Sequence, residues 1–267
     1  MTNSIYEKLA ASKKYAALCP DTLRRVAEDC ARRYKKPKEA EKAARETLHG
    51  ITGAFMRPEE LKRAEERLKA GDMEGALEMH VSTRERKPLG PFYEALFART
   101  GRPGRVLDVA CGLNPIYLAA MGVAVTGVDI AGGQIEMMNR WASAGGYPLE
   151  ARLGDALCPN FLPEGPFDLT LVMKLLPVLE NQKKGAAAAL IESLPSEKAA
   201  VTFPTRTLSG RGVGMERHYS QWFEGLLPEM WAIFDRYVQN DELIYLIQRN
   251  GGGTDHGEAL CSGHAHW

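Results

Sequence analysis

Arg105-Val106-Leu107-Asp108-Val109-Ala110-Cys111-Gly112-Leu113-Asn114-Pro115 is the stretch that decides the fold of this chain. Residues 105–109 read as a short buried strand, and Ala110-Cys111-Gly112 as the tight turn that follows it. Downstream, residues 123–128 form a second strand that ends at Asp129. Residues 149–153 make a weaker third, followed by Gly154-Asp155, with a fourth at 168–173 and a fifth at 199–203. Two late strands, 231–237 and 243–248, close the unit. Strands that alternate with helices predict an α/β domain with a mostly parallel, Rossmann-like sheet over residues 101–250. Its ligand belongs at the carboxyl ends of the strands.

A strand, a glycine turn and an acid at the end of the next strand form the nucleoside-binding arrangement of such folds. The turn lets backbone approach the ligand, and Asp129, 17 residues after Gly112, can accept both ribose hydroxyls. The turn lacks the G-x-G-x-x-G that a dinucleotide pyrophosphate needs, which disfavours an NAD-dependent oxidoreductase. A ligand with an adenosine and no phosphates fits better, and S-adenosylmethionine is the obvious one. Asp155 is placed to accept from the adenine amino group. Each acid alone could be a helix cap or a turn former. Asp108, Gly112, Asp129 and Asp155 in that order, each at a strand end, carry the methyltransferase reading.

Composition sets the outer limits. The chain has 267 residues, 45% of them hydrophobic and 25% charged, and 34 basic residues balance 34 acidic ones. These ordinary values exclude a collagen-like rod, a bulk polycation and a disordered chain. No apolar stretch approaches the ~20 residues of a membrane span. Residues 1–8 carry no export-signal pattern, and the five cysteines form no CxxC pair, so a reduced, cytoplasmic protein is expected. Residues 251–267 are Gly- and His-rich and are expected to be a disordered tail; His256, His264 and His266 are not read as a metal site, and no metal is expected.

The zero net charge conceals an asymmetry. Residues 1–105 hold 23 basic and 16 acidic side chains, a net of +7, and the remainder is −7. Residues 1–100 read as helices. Leu23, Val26, Ala27, Cys30, Ala31 and Tyr34 define one apolar face of a helix with Asp21 as N-cap and Pro37 as its stop. Its outward face carries Arg24, Arg25, Arg32, Arg33, Lys35 and Lys36, with Lys13 and Lys14 nearby. Glu28 and Asp29 are the only acids among them, so i,i+4 pairing cannot neutralise the patch. A solvated helix surface is the bland alternative to binding RNA or DNA phosphates. Further helices are expected over 37–49, stopped by Gly50, and over 58–70. A helix capped by Asp72 should carry His80, and one more should open at Pro91.

Longer stretches resemble a known family. Residues 107–115, Lys174-Leu175-Leu176-Pro177, Phe203-Pro204-Thr205-Arg206 and Gly210-Arg211-Gly212-Val213-Gly214-Met215-Glu216 are similar to the aminoglycoside-resistance 16S ribosomal RNA guanine-N7 methyltransferases. Trp222-Phe223-Glu224-Gly225 and Glu242-Leu243-Ile244-Tyr245-Leu246-Ile247 extend the resemblance. In the helical half it is carried by Ala11-Ser12-Lys13-Lys14-Tyr15, Cys19-Pro20-Asp21-Thr22, Leu48-His49-Gly50-Ile51 and His80-Val81-Ser82-Thr83-Arg84-Glu85-Arg86. It covers roughly residues 10 to 250.

The resemblance implies a class I S-adenosylmethionine-dependent methyltransferase domain with an N-terminal all-α extension that docks on the 30S subunit, acting as a monomer. It implies methylation of N7 of guanine 1405 of 16S ribosomal RNA. The implied cofactor pocket comprises Phe55, His80, Val81, Ser82, Arg86, Ala110, Gly112, Asp129, Asp155, Ala156, Met173, Lys174, Leu175 and Gln182, with Arg86 pairing with the methionine carboxylate. Arg206, Arg211 and Glu216 mark the implied edge of the guanine pocket. Guanine N7 has an in-plane lone pair and no proton at neutral pH, so no general base is required. Tyr219, Trp222 and Phe223 could stack on a flipped base or, as the plainer alternative, face the core of an amphipathic helix. Competing functions are methylation of another ribosomal base, such as adenine at N1, of a small molecule, or RNA binding without catalysis.

Overall fold

The computed structural model describes residues 1–52, 55–205 and 214–251. Seven helices precede the sheet: α1 (Thr2–Ala10), α2 (Pro20–Arg33), α3 (Pro37–Thr52), α4 (Pro58–Lys69), α5 (Met73–Leu77), α6 (Val81–Glu85) and α7 (Leu89–Thr100). There follow β1 (Arg105–Val109), α8 (Asn114–Ala120), β2 (Ala124–Asp129), α9 (Gly132–Gly145), β3 (Leu149–Leu153) and β4 (Leu169–Met173). The chain continues through α10 (Leu176–Gln182), α11 (Ala186–Ser193), β5 (Lys198–Pro204), α12 (Met215–Leu226), β6 (Trp231–Gln239) and β7 (Glu242–Arg249).

The strands form one seven-stranded sheet in the order β3-β2-β1-β4-β5-β7-β6. β1 to β5 run parallel, and β7 pairs antiparallel with both β5 and β6. Strand order reverses direction at β1, so the crevice above β1 and its neighbours is where such a sheet binds ligands. Period-two alternation divides the strands between two cores. Val106, Leu169, Leu171, Ala200, Ile244 and Leu246 pack on one face together with α4, α5, α7, α8 and α9. Leu107, Val109, Val172, Val201, Phe203 and Tyr245 pack on the other with α10, α11 and Phe223 of α12.

The helices of residues 1–100 therefore split into two groups. Ile5, Leu9, Leu23, Val26, Ala27, Ala40, Ala44 and Leu48 make a separate core for α1 to α3. Ala64, Leu77, Phe92, Tyr93 and Leu96, from α4, α5 and α7, belong to the sheet's own core.

Several helix limits differ from the sequence expectation. Cys19, not Asp21, is the N-cap of α2, because Pro20 takes the first helical position and Asp21 joins the acidic first turn. α3 runs through Gly50 to Thr52 instead of stopping there. Asp72 does cap α5, accepting from Gly75 N at 2.9 Å, but that helix ends at Leu77 and His80 becomes the N-cap of α6. α7 starts at Leu89, two residues before Pro91. The basic face is also less bare than i,i+4 spacing suggests, since i,i+3 contacts join Arg24 to Asp21, Arg32 to Asp29 and Lys36 to Glu39.

Candidate active site

A cavity of about 1370 Å³ opens above the carboxyl ends of β1, β2 and β4, and the α1–α2 loop, α2 and α3 wall it from the opposite side. Two of the strands leave the sheet through left-handed, non-glycine residues, Ala110 after β1 (φ 55°) and Lys174 after β4 (φ 55°). Such backbone is sparsely populated and persists where the surroundings hold it. Here Lys174 N donates to Thr202 O at 3.0 Å and to Thr202 Oγ1 at 3.2 Å. At Gly112, also left-handed (φ 53°), a Cβ would lie 2.6 Å from the His80 ring, so only glycine lets the turn pass beneath it.

Asp129 is held by the turn it was expected to face. Its Oδ2 accepts from Gly112 N and its Oδ1 from Ala131 N, both at 3.0 Å. Burial raises the Asp129 carboxyl above the usual range, and these N–H groups oppose the rise. Behind it lies a buried chain of polar groups. Tyr93 OH donates to Asn114 Oδ1 at 2.5 Å, and Asn114 Nδ2 donates to Asp108 Oδ2 at 2.6 Å. Burial pushes Asp108 up to about 7, against the Asn114 hydrogen bond and the Arg86 charge.

The far wall comes from α6 and the β6–β7 hairpin. His80 stacks on Phe55 with ring centroids 6.1 Å apart, and its Nδ1 lies 2.8 Å from Ser82 Oγ. Burial, together with the charges of Arg86, Lys174 and Arg84, lowers His80 to about 4, so it is neutral at physiological pH. Arg86 is buried and donates through Nε to Glu242 Oε1 at 3.1 Å and through Nη2 to Oε2 at 3.4 Å. Lys174 Nζ lies 3.3 Å from the same carboxylate and 2.8 Å from Glu85 Oε2. Burial alone would raise Glu242, but the Arg86 and Lys174 charges and a Thr202 hydrogen bond hold it below its ordinary value.

The structure brings nearly all of the sequence-derived cofactor set together. Phe55, His80, Val81, Ser82, Arg86, Ala110, Asp129, Asp155, Ala156, Met173, Lys174, Leu175 and Gln182 line the cavity. Gly112 stands just behind, acting through its N–H on Asp129. One assignment changes and one gains a partner. Arg86, which lines the cavity, is also paired within the chain with the Glu242 carboxylate. Arg25 leaves the outward basic face: its guanidinium turns into the cavity and pairs with Asp155 and Gln182, while Arg24, Arg32, Arg33, Lys35 and Lys36 stay exposed. Lys13 and Lys14 are exposed at the cavity rim.

Of the guanine-pocket set, Arg206 and Arg211 lie outside the described residues. Glu216 is exposed in the first turn of α12, next to Met215 at the rim. Tyr219, Trp222 and Phe223 follow the plainer alternative, for all three pack around Phe203, with Tyr219 stacked on it at 5.1 Å. Sequence reasoning missed Glu242 and its neighbours Asn240 and Asp241, which bring the hairpin to the cavity. The Asn-Asp pair between two apolar runs is a turn signal that could have placed it. Among the described residues no cluster of His, Cys, Asp and Glu could hold a metal ion, and no helix is long and apolar enough to cross a membrane.

The cavity suits a ligand that carries a nucleoside together with charges of both signs. Asp108, Asp129 and Asp155 line it, as do Arg25, Arg86 and Lys174, and Gln134, 8% exposed, lines it with an Oε1 that has no partner among the described residues. A family model described as "Ribosomal RNA methyltransferase (FmrO)" matches residues 11–246. A protein of Serratia marcescens named 16S rRNA (guanine(1405)-N(7))-methyltransferase is 46% identical over 93% of this chain and 99% of its own length. One of the same name from Frankia casuarinae is 36% identical over 92% of this chain and 93% of its own. Among solved structures, the 16S rRNA methylase RmtB superposes with a TM-score of 0.85 at 43% identity, covering 94% of this chain and 99% of that one. The 16S rRNA methyltransferase RmtF, in complex with S-adenosyl-L-homocysteine, gives 0.85 at 46% identity, covering 93% and 98%.

Proposed function

The chain belongs to the FmrO family of ribosomal RNA methyltransferases, and on that premise we propose that it methylates N7 of guanine 1405 in 16S ribosomal RNA of the 30S subunit, giving aminoglycoside resistance. The observation that carries this reading is the cavity at the strand ends, where Asp129 and Asp155 stand with Arg86 and Lys174, walled by a separate, basic helical unit. A small-molecule methyltransferase would need the first and have no use for the second.

When bound, S-adenosylmethionine supplies a methyl group on a positively charged sulfur. Asp129 is the acceptor for the ribose hydroxyls, because its carboxylate is already oriented by the N–H groups of Gly112 and Ala131. Asp155 accepts from the adenine amino group. Arg86 and Lys174 form the cationic wall for the methionine carboxylate, with Glu242 balancing their charge. The chain supplies no general base, since guanine N7 has no proton to lose. His80, held neutral, adds no cation beside a base that becomes positive during transfer. What the residues provide is orientation, worth ~7–11 kcal/mol in favourable cases.

The target base is paired, so it has to be flipped out at a cost of a few kcal/mol, offset by contacts in the pocket. Lys13, Lys14, Arg24, Arg32, Arg33, Lys35 and Lys36 contact RNA phosphates. The enzyme acts as a monomer in the cytoplasm, where assembled 30S subunits are found. Primer extension on 16S RNA, after incubation of 30S subunits with S-adenosylmethionine and chemical cleavage at N7-methylguanine, tests this. A stop at guanine 1405 is expected. A stop elsewhere, or methyl transfer to low-molecular-weight acceptors instead, overturns it.

A further inference from the structure

Arg25 sits on the basic helix α2, but it does not share the surroundings of that helix's other cations. Its side chain is 16% exposed, against 56% for its neighbour Arg24. Its Nε and Nη2 donate to Asp155 Oδ2 at 3.0 and 2.9 Å, and Nη2 also donates to Gln182 Oε1 at 3.2 Å. The second oxygen of Asp155, Oδ1, accepts from Leu157 N at 2.8 Å. Arg25, Asp155 and Gln182 all line the cavity. The joint is reinforced by backbone: Cys19 N donates to Ile130 O and Gly132 N to Ala17 O, both at 2.8 Å. A Cβ at Gly132 would fall 2.3 Å from Ala17 O, so this seam between the extension and the loop after Asp129 closes only on glycine.

We propose that Arg25 is a positioning residue for the cofactor's adenine, a role that rests on reading the cavity as the S-adenosylmethionine site with Asp155 at the base. A carboxylate on a loop can turn about its last torsion. Two donors from one guanidinium on one oxygen, and a backbone N–H on the other, fix both. A fixed carboxylate presents lone pairs to the donor of a 6-amino purine and sets an acceptor against the acceptor of a 6-oxo purine. A site built to pair a particular group rejects the analogue that lacks it, because its own polar atoms are then left unpaired. Selection of adenine by the sheet domain thus depends on a side chain from the helical extension.

Calorimetric titration of the full chain with S-adenosylhomocysteine and with its 6-oxo analogue, S-inosylhomocysteine, tests this without catalysis. In Arg25→Ala, the adenine compound should bind about tenfold more weakly, and the ratio between the two affinities should fall by a similar factor. Arg25→Lys keeps the charge without the two-pronged donor and should recover part of the ratio. Arg24→Ala should match the wild type in both. If Arg25→Ala lowers the melting temperature and weakens both compounds equally, Arg25 is structural and the role is overturned. It is equally overturned if Arg25→Ala behaves as Arg24→Ala does. Failure of the wild type to bind S-adenosylhomocysteine would instead overturn the cofactor reading beneath it.

Discussion

The outward face of α2 and the wall of the cavity use the same residue types under opposite physical conditions. On α2 and in the link just after it, Arg32 and Lys36 are 74% and 78% exposed and have i,i+3 partners that solvent screens. At the cavity, Arg86 and its partner Glu242 are each 2% exposed in their side chains, with Lys174 and Thr202 on the carboxylate and the Phe92 ring 5.2 Å from the guanidinium. Exposed cations are interchangeable contributors to a field, whereas a buried one is tied to a particular partner. The contrast runs through consecutive residues at Arg24 and Arg25, about 100° apart on one helix.

The largest effect that would sharpen this contrast is expected at Glu242. Glu242→Gln leaves the buried Arg86 without its paired carboxylate, while Lys174 keeps Glu85, and urea unfolding should show a loss of about 3–5 kcal/mol. Glu39→Gln, which removes the partner of Lys36, should change stability by less than ~1 kcal/mol. Equal losses would erase the difference between the two regions.

Next in size are two opposed pH effects at the cavity. His80 is lowered to about 4 from an ordinary 6.5. The unfolded chain therefore binds more protons between those values, and His80 removes stability as pH falls from 6.5 toward 4. Asp108 is raised from 3.8 to about 7. The folded chain then holds the extra proton, and Asp108 adds stability as pH falls from 7 toward 3.8. The contributions are on the order of 3 kcal/mol for His80 and 4 kcal/mol for Asp108, and in the wild type they oppose one another over nearly the same range. Relative to wild type, His80→Gln should gain stability between pH 7 and 4.5, and Asp108→Asn should lose it. Unfolding curves that stay parallel across that range would contradict both shifts.

At Asp129, replacement by Ala should weaken S-adenosylhomocysteine binding at least ~100-fold by calorimetry, since two hydrogen bonds to a carboxylate are lost together. Unchanged affinity would sink the ribose assignment. The smallest effect per residue belongs to the outer face. Reversing Arg24, Arg32 and Arg33 to Glu should leave stability within about 0.5 kcal/mol per site. It should also leave cofactor affinity unchanged, while 30S binding weakens and its salt dependence becomes shallower. A parallel loss of cofactor affinity would show that the face is structural.

Much of the site was legible from sequence because its parts are local signals at strand ends. Asp129 follows a β-branched run, Gly112 stands in a turn, and Asp155 follows a third run, whereas Lys174 was reached only through the family resemblance. Tyr219, Trp222 and Phe223 were ambiguous, because a helix with aromatics on one face looks the same whether it packs on Phe203 or awaits a base. Glu242 was hidden because its partner Arg86 lies 156 residues away and its strand reads as apolar. The division of residues 1–100 between two cores was hidden for a similar reason. Amphipathic helices declare a buried face without saying what covers it.

Determined by the sequence alone were the α/β class, the order of strands and turns, the acids at the strand ends, and the opposite charges of the two halves. All of these depend on near neighbours, through hydrophobic period, backbone freedom and residue type. Only the tertiary structure decided which cation faces solvent and which faces the cavity, and that Arg86 answers to Glu242. It also decided that Asp108 and His80 titrate far from their ordinary values. Those outcomes depend on burial and on partners distant in the chain, and a charge has no fixed partner until folding removes the water around it.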